Sequence, residues 1–422
     1  MQNFNDADLP QPLLDRLSAI GFTTPTPIQQ KAIPEALKGS DILGSAQTGT
    51  GKTGAFGIPL ASFLMQNESS NALILLPTRE LAIQVEKALQ TFMGRNKIST
   101  ALLIGGESMP KQLSQLRRSP RLIIGTPGRI NDHLERKTLT FKHTHFLVLD
   151  EMDRMLDMGF DVQLEAIAKF LPEKRQTLMF TATMPKKMEQ LAARYLTNPV
   201  RISVGDNQKP ALNIKQESVR LREDEKYVRF VKEIEERTGS IITFVKTKHG
   251  ADRMAVKLRT AGHAVEALHG DLRQSKRTRV IEKFRREQCR ILIATDVAAR
   301  GLDIPHIEHV INYDLPQCPE DYIHRIGRTA RAGATGCALS FLSPADSGKW
   351  HAIQKLIDPD YKPGPSSNKN GSGSGKPSGR PGKRPNKSGG FKGKFSTSKS
   401  TTAKPTNSKP RKPFAKRTGS NG

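Results

Sequence analysis

The chain has 422 residues and a mass of 46.6 kDa, with 36 % apolar and 26 % charged residues. At about 150 residues per domain, this length predicts two or three domains, and the low apolar share indicates that part of the chain lies outside any core. The sequence holds 67 Lys or Arg against 41 Asp or Glu, and the resulting net charge of +26 favours binding to nucleic acid or another polyanion.

Several classes of protein do not fit the sequence. No apolar run approaches the ~20 residues that a membrane span needs, so no membrane association is expected. Residues 1–8 are polar and acidic, unlike a signal peptide. The three cysteines, Cys289, Cys318 and Cys337, are too far apart for a disulfide framework or a metal knuckle. We therefore expect a cytoplasmic protein without a structural metal.

Short apolar segments of strand length recur in the first half of the chain, separated by amphipathic segments such as 80–92 and 160–171. They are rich in Val, Ile and Leu and do not alternate with polar residues, as is typical of strands buried on both faces. The predicted strands are 41–45, 72–77, 100–104, 121–125, 146–150 and 177–181. Because helical segments separate them, they predict a parallel sheet with crossover helices.

A polar segment, 201–216, interrupts this pattern and favours a linker, since it contains Gly205 and Pro210. The alternation then resumes, with predicted strands at 241–245, 264–268, 291–295, 309–313 and 338–342. After residue 360 the sequence turns to Ser, Gly, Pro, Asn and Lys, and residues 362–422 hold 16 Lys or Arg and no acid. Such a composition predicts disorder, because it cannot bury enough apolar surface to offset the entropy of ordering.

We therefore predict an α/β protein with two parallel-sheet domains in tandem. The first domain is expected at 1–205, a linker at 206–216, the second domain at 217–360 and a disordered basic C-terminal tail at 361–422. The 361 residues that precede Lys362 carry 51 basic and 41 acidic groups, so most of the charge excess is expected in the tail.

A phosphate-binding loop is indicated directly after the first predicted strand. It comprises Ala46, Gln47, Thr48, Gly49, Thr50, Gly51, Lys52 and Thr53. Glycines let backbone N–H groups turn towards phosphate oxygens at a helix N-terminus, while Lys52 can reach the β and γ phosphates and Thr53 can bind Mg²⁺. The alternative is an ordinary turn, and the strict pattern begins with Gly where this chain has Ala46. The strand before it and the helix after it favour the phosphate loop.

Acidic residues follow another apolar strand, in the order Asp150, Glu151, Met152, Asp153. A carboxylate at the C-terminal end of a parallel strand faces the crevice where ligands bind. Asp150 is suited to hold Mg²⁺, and Glu151 is suited to orient and deprotonate an attacking water. An isolated Asp-Glu pair is more often a solvated strand end, but the phosphate loop upstream favours the catalytic interpretation.

The second domain has no phosphate loop, but the segment HRIGRTAR at 324–331 carries three arginines at spacings of three. One interpretation is a solvated helix face. The other is that guanidinium groups from the second domain act on the γ-phosphate of a nucleotide held by the first, so that closure of the domains depends on ATP.

In this order, these segments resemble the DEAD-box RNA helicases of superfamily two, and the resemblance covers about residues 4–342. It implies two RecA-like domains that use ATP and Mg²⁺. The segment GFTTPTPIQ at 21–29 resembles the family's adenine-reading motif. This implies that Gln29 contacts the adenine edge, that Phe22 supports the base, and that Phe4 is the upstream aromatic residue of the motif.

The resemblance also implies RNA contacts in both domains. Those of the first domain follow strand ends and are Pro77, Thr78, Arg79, Gly105, Gly106, Thr126, Pro127, Gly128 and Arg129. Those of the second domain are Phe244, Gln274, Arg277, Thr295 and Gly301. Hydroxyl, backbone amide and guanidinium groups suit phosphate and sugar oxygens. Each first-domain segment taken singly would be interpreted as a turn.

Other implied roles concern coupling between the domains and the nucleotide. Coupling is implied for Asp153, Thr181, Thr183, Asp296 and Arg300, and ribose binding for Asp303. Arg328 and Arg331 match the family's arginine fingers, and His324 would bridge towards the segments around Asp150 and Thr181. Met152 stands where the family's motif has Ala, while all three acids remain, so the expected reaction is unchanged.

The expected function is local, non-processive unwinding of short RNA duplexes coupled to RNA-stimulated ATP hydrolysis. The resemblance is to bacterial housekeeping helicases, so ribosomal precursor or RNA-decay proteins are the expected partners. Two alternatives remain open. One is an ATP-gated RNA clamp or annealing scaffold that seldom unwinds, and the other is a DNA translocase, because 2′-hydroxyl contacts decide which sugar is accepted.

Overall fold

The computed structural model describes residues 1–46, 49–94, 98–184, 186–204, 213–299, 302, 304, 306–330, 334–358 and 360–362. The predicted tail, apart from residues 361 and 362, and most of the predicted linker lie outside the described residues. Both sheets belong to one compact unit, Met1–Gly364.

Within the described residues, the first sheet has seven parallel strands. They are β1 (Ile42–Ala46), β2 (Asn71–Leu75), β3 (Thr100–Leu103), β4 (Leu122–Gly125), β5 (Thr144–Leu149), β6 (Gln176–Thr181) and β7 (Val200–Val204). Their spatial order is β3-β4-β2-β5-β6-β1-β7. The residues of β1 and β4 are all buried, which explains why these segments lack polar alternation.

Helices cover both faces of this sheet. They are α1 (Gln11–Ala19), α2 (Pro27–Leu37), α3 (Lys52–Gln66), α4 (Arg79–Met93), α5 (Met109–Leu116), α6 (Pro127–Glu135), α7 (Met152–Asp157), α8 (Asp161–Ala168) and α9 (Lys186–Tyr195). Successive residues of β1 belong to two different cores: Ile42 packs with residues of α2 and α3, and Leu43 packs with residues of α7 and α9. Each face of the sheet therefore has its own core.

The second sheet repeats this plan with six parallel strands among the described residues. They are β8 (Ile214–Arg220), β9 (Ser240–Phe244), β10 (Val265–Leu268), β11 (Ile291–Ala294), β12 (Ile307–Asn312) and β13 (Gly336–Leu342), in the order β10-β11-β9-β12-β13-β8. Its helices are α10 (Lys226–Glu236), α11 (Lys248–Thr260), α12 (Gln274–Arg285), α13 (Asp296–Ala299), α14 (Pro319–Ile326) and α15 (Ser347–Ile357). The predicted fold class, two parallel-sheet domains in tandem, is confirmed.

Two strands were not expected: β7 falls almost wholly in the polar segment 201–216, where no strand was predicted, and β8 begins within the predicted linker 206–216. Strand β7 pairs with β1, and β8 pairs with β13, so each lies at the edge of its sheet. Both expose much of their length, and their sequences are correspondingly polar. Residues 214–216 are therefore strand rather than linker. Separately, no helix in the described part of the chain is long and apolar enough to cross a membrane.

Strand order determines which of the predicted segments meet. The phosphate loop follows β1, the acidic segment follows β5, and Thr181 ends β6; these three strands are neighbours. The first-domain segments assigned to RNA follow β2, β3 and β4, which are also neighbours. The C-terminal ends of parallel strands all lie at the same end of the sheet, so both groups of segments lie there. The two groups occupy different halves of that end.

Candidate active site

The phosphate loop connects β1 to α3. Gly49 and Gly51 have φ angles of +85° and +94°, a conformation that glycine adopts without strain. The Lys52 side chain is buried, and its Nζ donates to the carbonyl oxygen of Ala46 over 3.0 Å. The lysine thus lies folded back along the loop at the start of the helix. Gln47 and Thr48 of the predicted loop lie outside the described residues.

Gln29 ties helix α2 to this loop. Its Nε2 donates to the carbonyl oxygen of Gly51 over 2.9 Å, and its Oε1 accepts from the backbone N of Thr26 over 3.0 Å. A Cβ atom at Gly54 would lie 2.5 Å from Gln29 Nε2, so a larger residue there would have to displace the glutamine side chain. The Phe22 ring lies nearby, against Gly54. The two residues predicted to read adenine therefore border the phosphate loop.

The acidic pair begins beyond β5 and is almost completely buried, with Asp150 3 % and Glu151 5 % exposed. Burial raises the pKa of Asp150 to about 6, and the positive charge of Lys52 only partly opposes the shift. Burial by itself also raises the pKa of Glu151. The positive charges of Arg154, Lys52 and Arg328 outweigh that effect and hold its pKa below the ordinary value. The pKa values of these two neighbouring carboxyl groups are thus shifted in opposite directions.

Arg154 was not identified from the sequence. Its Nη1 donates to Glu151 Oε2 over 2.8 Å, and the side chain is only 1 % exposed. The signal that could have indicated it is a basic residue three positions after an acidic one at the start of a helix, a spacing that brings side chains together. The same spacing is common on solvated helix faces, so it does not reveal burial.

Asp153 joins the acidic segment to the end of β6. Its Oδ2 accepts from the backbone N of Ala182 over 3.0 Å, from the backbone N of Thr183 over 2.9 Å and from Thr183 Oγ1 over 3.1 Å. Thr181 Oγ1 donates to the carbonyl oxygen of Thr183 over 2.6 Å. One carboxylate oxygen therefore holds the strand end that was predicted to couple the domains.

Arg328 brings the second domain to this site. Its Nη1 donates to the carbonyl oxygen of Leu302 over 2.7 Å, and its Nε donates to that of His324 over 3.1 Å. The side chain is 3 % exposed and its charge lowers the pKa of Glu151, so a basic group of the second domain acts on an acidic group of the first. Other residues predicted for this region, Arg300, Gly301, Asp303 and Arg331, lie outside the described residues.

Phe244, for which the resemblance implied an RNA contact, is buried at the end of β9. The residue is 2 % exposed and the Arg325 guanidinium lies 4.8 Å above its ring. Arg325 also binds both carboxylate oxygens of Asp296, over 2.5 and 2.7 Å. Asp296, predicted to couple the domains, is therefore paired within the second domain. Arg325 was not assigned a role from the sequence, and the structure makes it the centre of this cluster.

The first-domain segments predicted to bind RNA converge beyond β2, β3 and β4. A Cβ atom at Gly105 would lie 3.1 Å from Arg79 Nη2, so the arginine packs directly on this glycine. Arg129 Nη1 donates to the carbonyl oxygen of Glu107 over 3.2 Å. Thr78 begins helix α4, with its Oγ1 accepting from the backbone N of Leu81 over 3.3 Å. Backbone and basic groups thus lie together beyond the C-terminal ends of these three strands.

The second-domain residues predicted beside them are buried against the first domain. Arg277 Nε donates to Glu80 Oε1 over 2.8 Å, and Gln274 Nε2 donates to the same oxygen over 3.2 Å. Arg79 Nη1 donates to Gln274 Oε1 over 3.4 Å. Gln274 and Arg277 are 4 % and 5 % exposed, so their side chains join the two domains. Glu80, their partner, was missed because nothing local in the sequence reveals a contact between domains.

Comparison with known proteins matches both halves of this architecture. The DEAD/DEAH box helicase family matches residues 26–191, and the helicase conserved C-terminal domain family matches residues 225–333. The DEAD-box ATP-dependent RNA helicase CshA of Geobacillus kaustophilus is 43 % identical over 357 residues, 84 % of this chain and 76 % of that protein. The ATP-dependent RNA helicase CshA of Listeria monocytogenes is 41 % identical over 365 residues, 86 % and 70 % of the two chains.

Solved structures agree in fold. S. cerevisiae Dbp5 bound to RNA and ADP BeF3 matches with a TM-score of 0.77 and 34 % identity, over 85 % of this chain and 94 % of that chain. Mss116p bound to ssRNA and AMP-PNP matches with a TM-score of 0.77 and 28 % identity, over 84 % and 78 %. With the buried acidic pair, the phosphate loop and both parallel sheets in place, the chain belongs to the DEAD-box family of ATP-dependent RNA helicases.

Proposed function

We propose that this chain opens short RNA duplexes locally and without processive movement, using closure of its two domains around ATP. The observation that carries the proposal is that two separate interactions between the domains are present in the same structure. Arg328 acts on Glu151 at the end of β5, and Arg277 binds Glu80 at the start of α4. The electrostatic interaction of Arg328 with Glu151 adjoins the proposed ATP site, and the Arg277–Glu80 ion pair adjoins the proposed RNA surface, so one closure links both.

In the proposed ATP site, each residue has a distinct task. Lys52 leaves the Ala46 carbonyl and neutralises the β and γ phosphates. Glu151 orients the attacking water and accepts its proton, and its lowered pKa keeps it ionised at neutral pH. Arg328 brings positive charge to the γ-phosphate when the domains close, and Arg331, His324 and the adenine-reading residues keep their implied roles.

Mg²⁺ fits this site. Asp150 is a buried carboxyl group whose pKa is raised to about 6, so its charged form is less stable than in water and a bound cation would stabilise it. Asp150 and the Thr53 hydroxyl offer oxygen ligands, the kind that Mg²⁺ prefers. When bound, the ion would neutralise charge that develops on the phosphate oxygens. These two residues are the ones that would hold it.

RNA is proposed to cross the edge formed beyond β2, β3 and β4, where Arg79 and Arg129 lie close enough for their charges to interact. The proposed contacts there are to the RNA backbone, and such contacts carry no sequence information directly. Closure would press the strand against both domains and bend it, so that its complement is released. ATP hydrolysis then reopens the interface and frees the RNA. Such local opening suits ribosomal precursor RNA or RNA under decay in the bacterial cytoplasm.

A strand-displacement assay tests the proposal. A short RNA duplex with a labelled strand is incubated with the protein and ATP, with longer RNA duplexes and a DNA duplex of the same sequence as controls. Local unwinding predicts release that falls steeply as the duplex lengthens and is absent for DNA. Stable ATP-dependent retention of RNA without strand release would instead support a clamp. Equal release of DNA strands would favour a DNA translocase.

A further inference from the structure

Arg154, the third residue of α7, is buried inside the catalytic edge of the first sheet. The side chain is 1 % exposed, and its Nη1 donates to Glu151 Oε2 over 2.8 Å. Its Nη2 is also buried and has no hydrogen-bond partner among the described residues. A guanidinium in this environment is costly to desolvate, and one acceptor does not satisfy it. Its placement therefore calls for a reason other than stability.

The side chain of Glu151 has to be held in place by another residue. Its backbone lies in the left-handed region, at φ +51° and ψ +48°, which is unusual for a non-glycine residue and directs the side chain differently from a helical one. The carboxylates on either side have backbone partners: Asp150 Oδ1 accepts from the backbone N of Glu151, and Asp153 Oδ2 accepts from Ala182 and Thr183. Glu151 has the longer side chain and is held by Arg154.

We propose that Arg154 is a positioning residue for ATP hydrolysis, fixing one oxygen of the Glu151 carboxylate so that the other is left for the attacking water. The inference rests on the proposed role of Glu151 as the base. A charge-assisted hydrogen bond is directional and stronger than a neutral one, so one such bond selects one orientation of the carboxylate. Small misplacements of a reacting group cost up to about 100-fold in rate.

The rival explanation is that Arg154 only neutralises a buried acid and thereby supports the fold. The two explanations differ in the steps that come after ATP binding. Poor positioning slows hydrolysis, so the closed complex lasts longer and RNA leaves more slowly. A purely structural defect instead weakens the fold and the binding of both ligands.

Four variants separate these cases: Arg154→Met, Arg154→Lys, Glu151→Gln and Arg194→Met. Methionine keeps much of the volume and removes the charge, whereas lysine can still donate one charged hydrogen bond to Glu151. Arg194 is a matched control, because it pairs with Glu165 on the exposed surface of the same domain. The measurements are kcat, the KM values for ATP and RNA, the rate of RNA release with ATP, and the melting temperature.

We expect Arg154→Met to lower kcat by about 10- to 100-fold, with little change in either KM and with slower RNA release in ATP. Arg154→Lys should recover part of the lost turnover, and Arg194→Met should match the wild type. If Glu151→Gln hydrolyses ATP normally, the proposed role of Glu151 itself is wrong. If Glu151→Gln is inactive while Arg154→Met turns over normally, only the positioning role is overturned.

The lysine variant keeps the test decisive if the methionine variant does not fold. An Arg154→Lys protein that melts below the wild type but keeps the wild-type kcat at saturating ATP and RNA would overturn the proposal, because the residue would then serve the fold alone. Loss of ATP or RNA binding together with a lower melting temperature in both variants would establish the purely structural role.

Discussion

Arg277 of the second domain and Glu80 of the first form an ion pair of 2.8 Å in which both side chains are about nine-tenths buried or more. Desolvating two charges offsets most of their attraction, so such a pair adds little stability compared with apolar side chains. Removing one partner, however, leaves the other charge buried and unpaired. The pair therefore selects one arrangement of the two domains rather than simply strengthening their contact.

The first prediction concerns this pair. Arg277→Met should disfavour the closed arrangement by about 3–5 kcal/mol, because Glu80 remains buried without its cation. Fluorescence energy transfer between dyes on the two domains, with ATP and RNA present, should show fewer closed molecules. The double variant Glu80→Leu with Arg277→Met should recover part of the lost closure, since no buried charge then remains without a partner.

Asp271→Asn is the matched control for that experiment. Asp271 pairs with Lys248 in the second domain, and both side chains are about half exposed, so solvent screens the pair and it contributes little to stability. Closure should be unchanged in this variant. If Arg277→Met also closes normally, the Glu80–Arg277 contact does not govern closure.

The fold could be predicted from the sequence as far as its strands are buried on both faces. The strand that ends at Ala46 and the one that precedes Asp150 are buried along almost their whole length and show no apolar–polar alternation, which is typical of strands inside a parallel sheet. The edge strands β7 and β8 could not be recognised in this way. They expose much of their surface, so their composition matches that of a linker.

The site was predictable only where its residues share a local segment. The phosphate loop and the acidic pair each follow a strand, and the sheet brings those strands together. Glu80 and Arg277 are 197 positions apart, so no pattern along the chain indicates their contact. Phe244 is a related case: its position at a strand end is visible in the sequence, but the guanidinium of Arg325 that covers its ring is not.

A second prediction is that Lys52→Ala abolishes ATP hydrolysis while the protein stays folded. Electrostatic stabilisation of the transferring phosphoryl group is worth several kcal/mol, and Lys52 is the basic residue at the start of α3. Turnover with saturating RNA, circular dichroism and melting temperature should be measured together. Lys31→Ala is the matched control, because Lys31 is an exposed lysine. Near wild-type turnover in Lys52→Ala would refute the phosphate-loop assignment.

A third prediction concerns the basic segment 362–422. Its removal should weaken RNA affinity and flatten the dependence of affinity on salt, because each basic group that contacts single-stranded RNA contributes about 0.7 to the slope of log affinity against log salt. We expect a change of a few units, since only some of its 16 basic residues engage at once. Filter binding across a salt series measures the slope.

The control for that experiment is a chain of full length in which the Lys and Arg residues of 362–422 are replaced by Gln. It should behave like the truncated protein, because charge rather than length is the proposed cause. ATPase activity at saturating RNA should remain in both proteins, since the proposed active site lies before this segment. An unchanged salt slope would mean that the segment serves another purpose, such as binding a protein.

The last prediction concerns Met152, which stands between the acidic pair Asp150–Glu151 and Asp153 and is completely buried in a core that also contains Met155. Met152→Ala should leave ATPase activity within about tenfold of wild type, or ~1.4 kcal/mol in barrier, because the side chain offers no acid, base or metal ligand. The cavity should lower stability by about 2–5 kcal/mol. Met155→Ala, equally buried on the same helix, should show a similar fall in melting temperature with turnover also within tenfold of wild type. If turnover collapses in Met152→Ala while melting is unchanged, the methionine shapes the catalytic segment itself rather than filling space beside it.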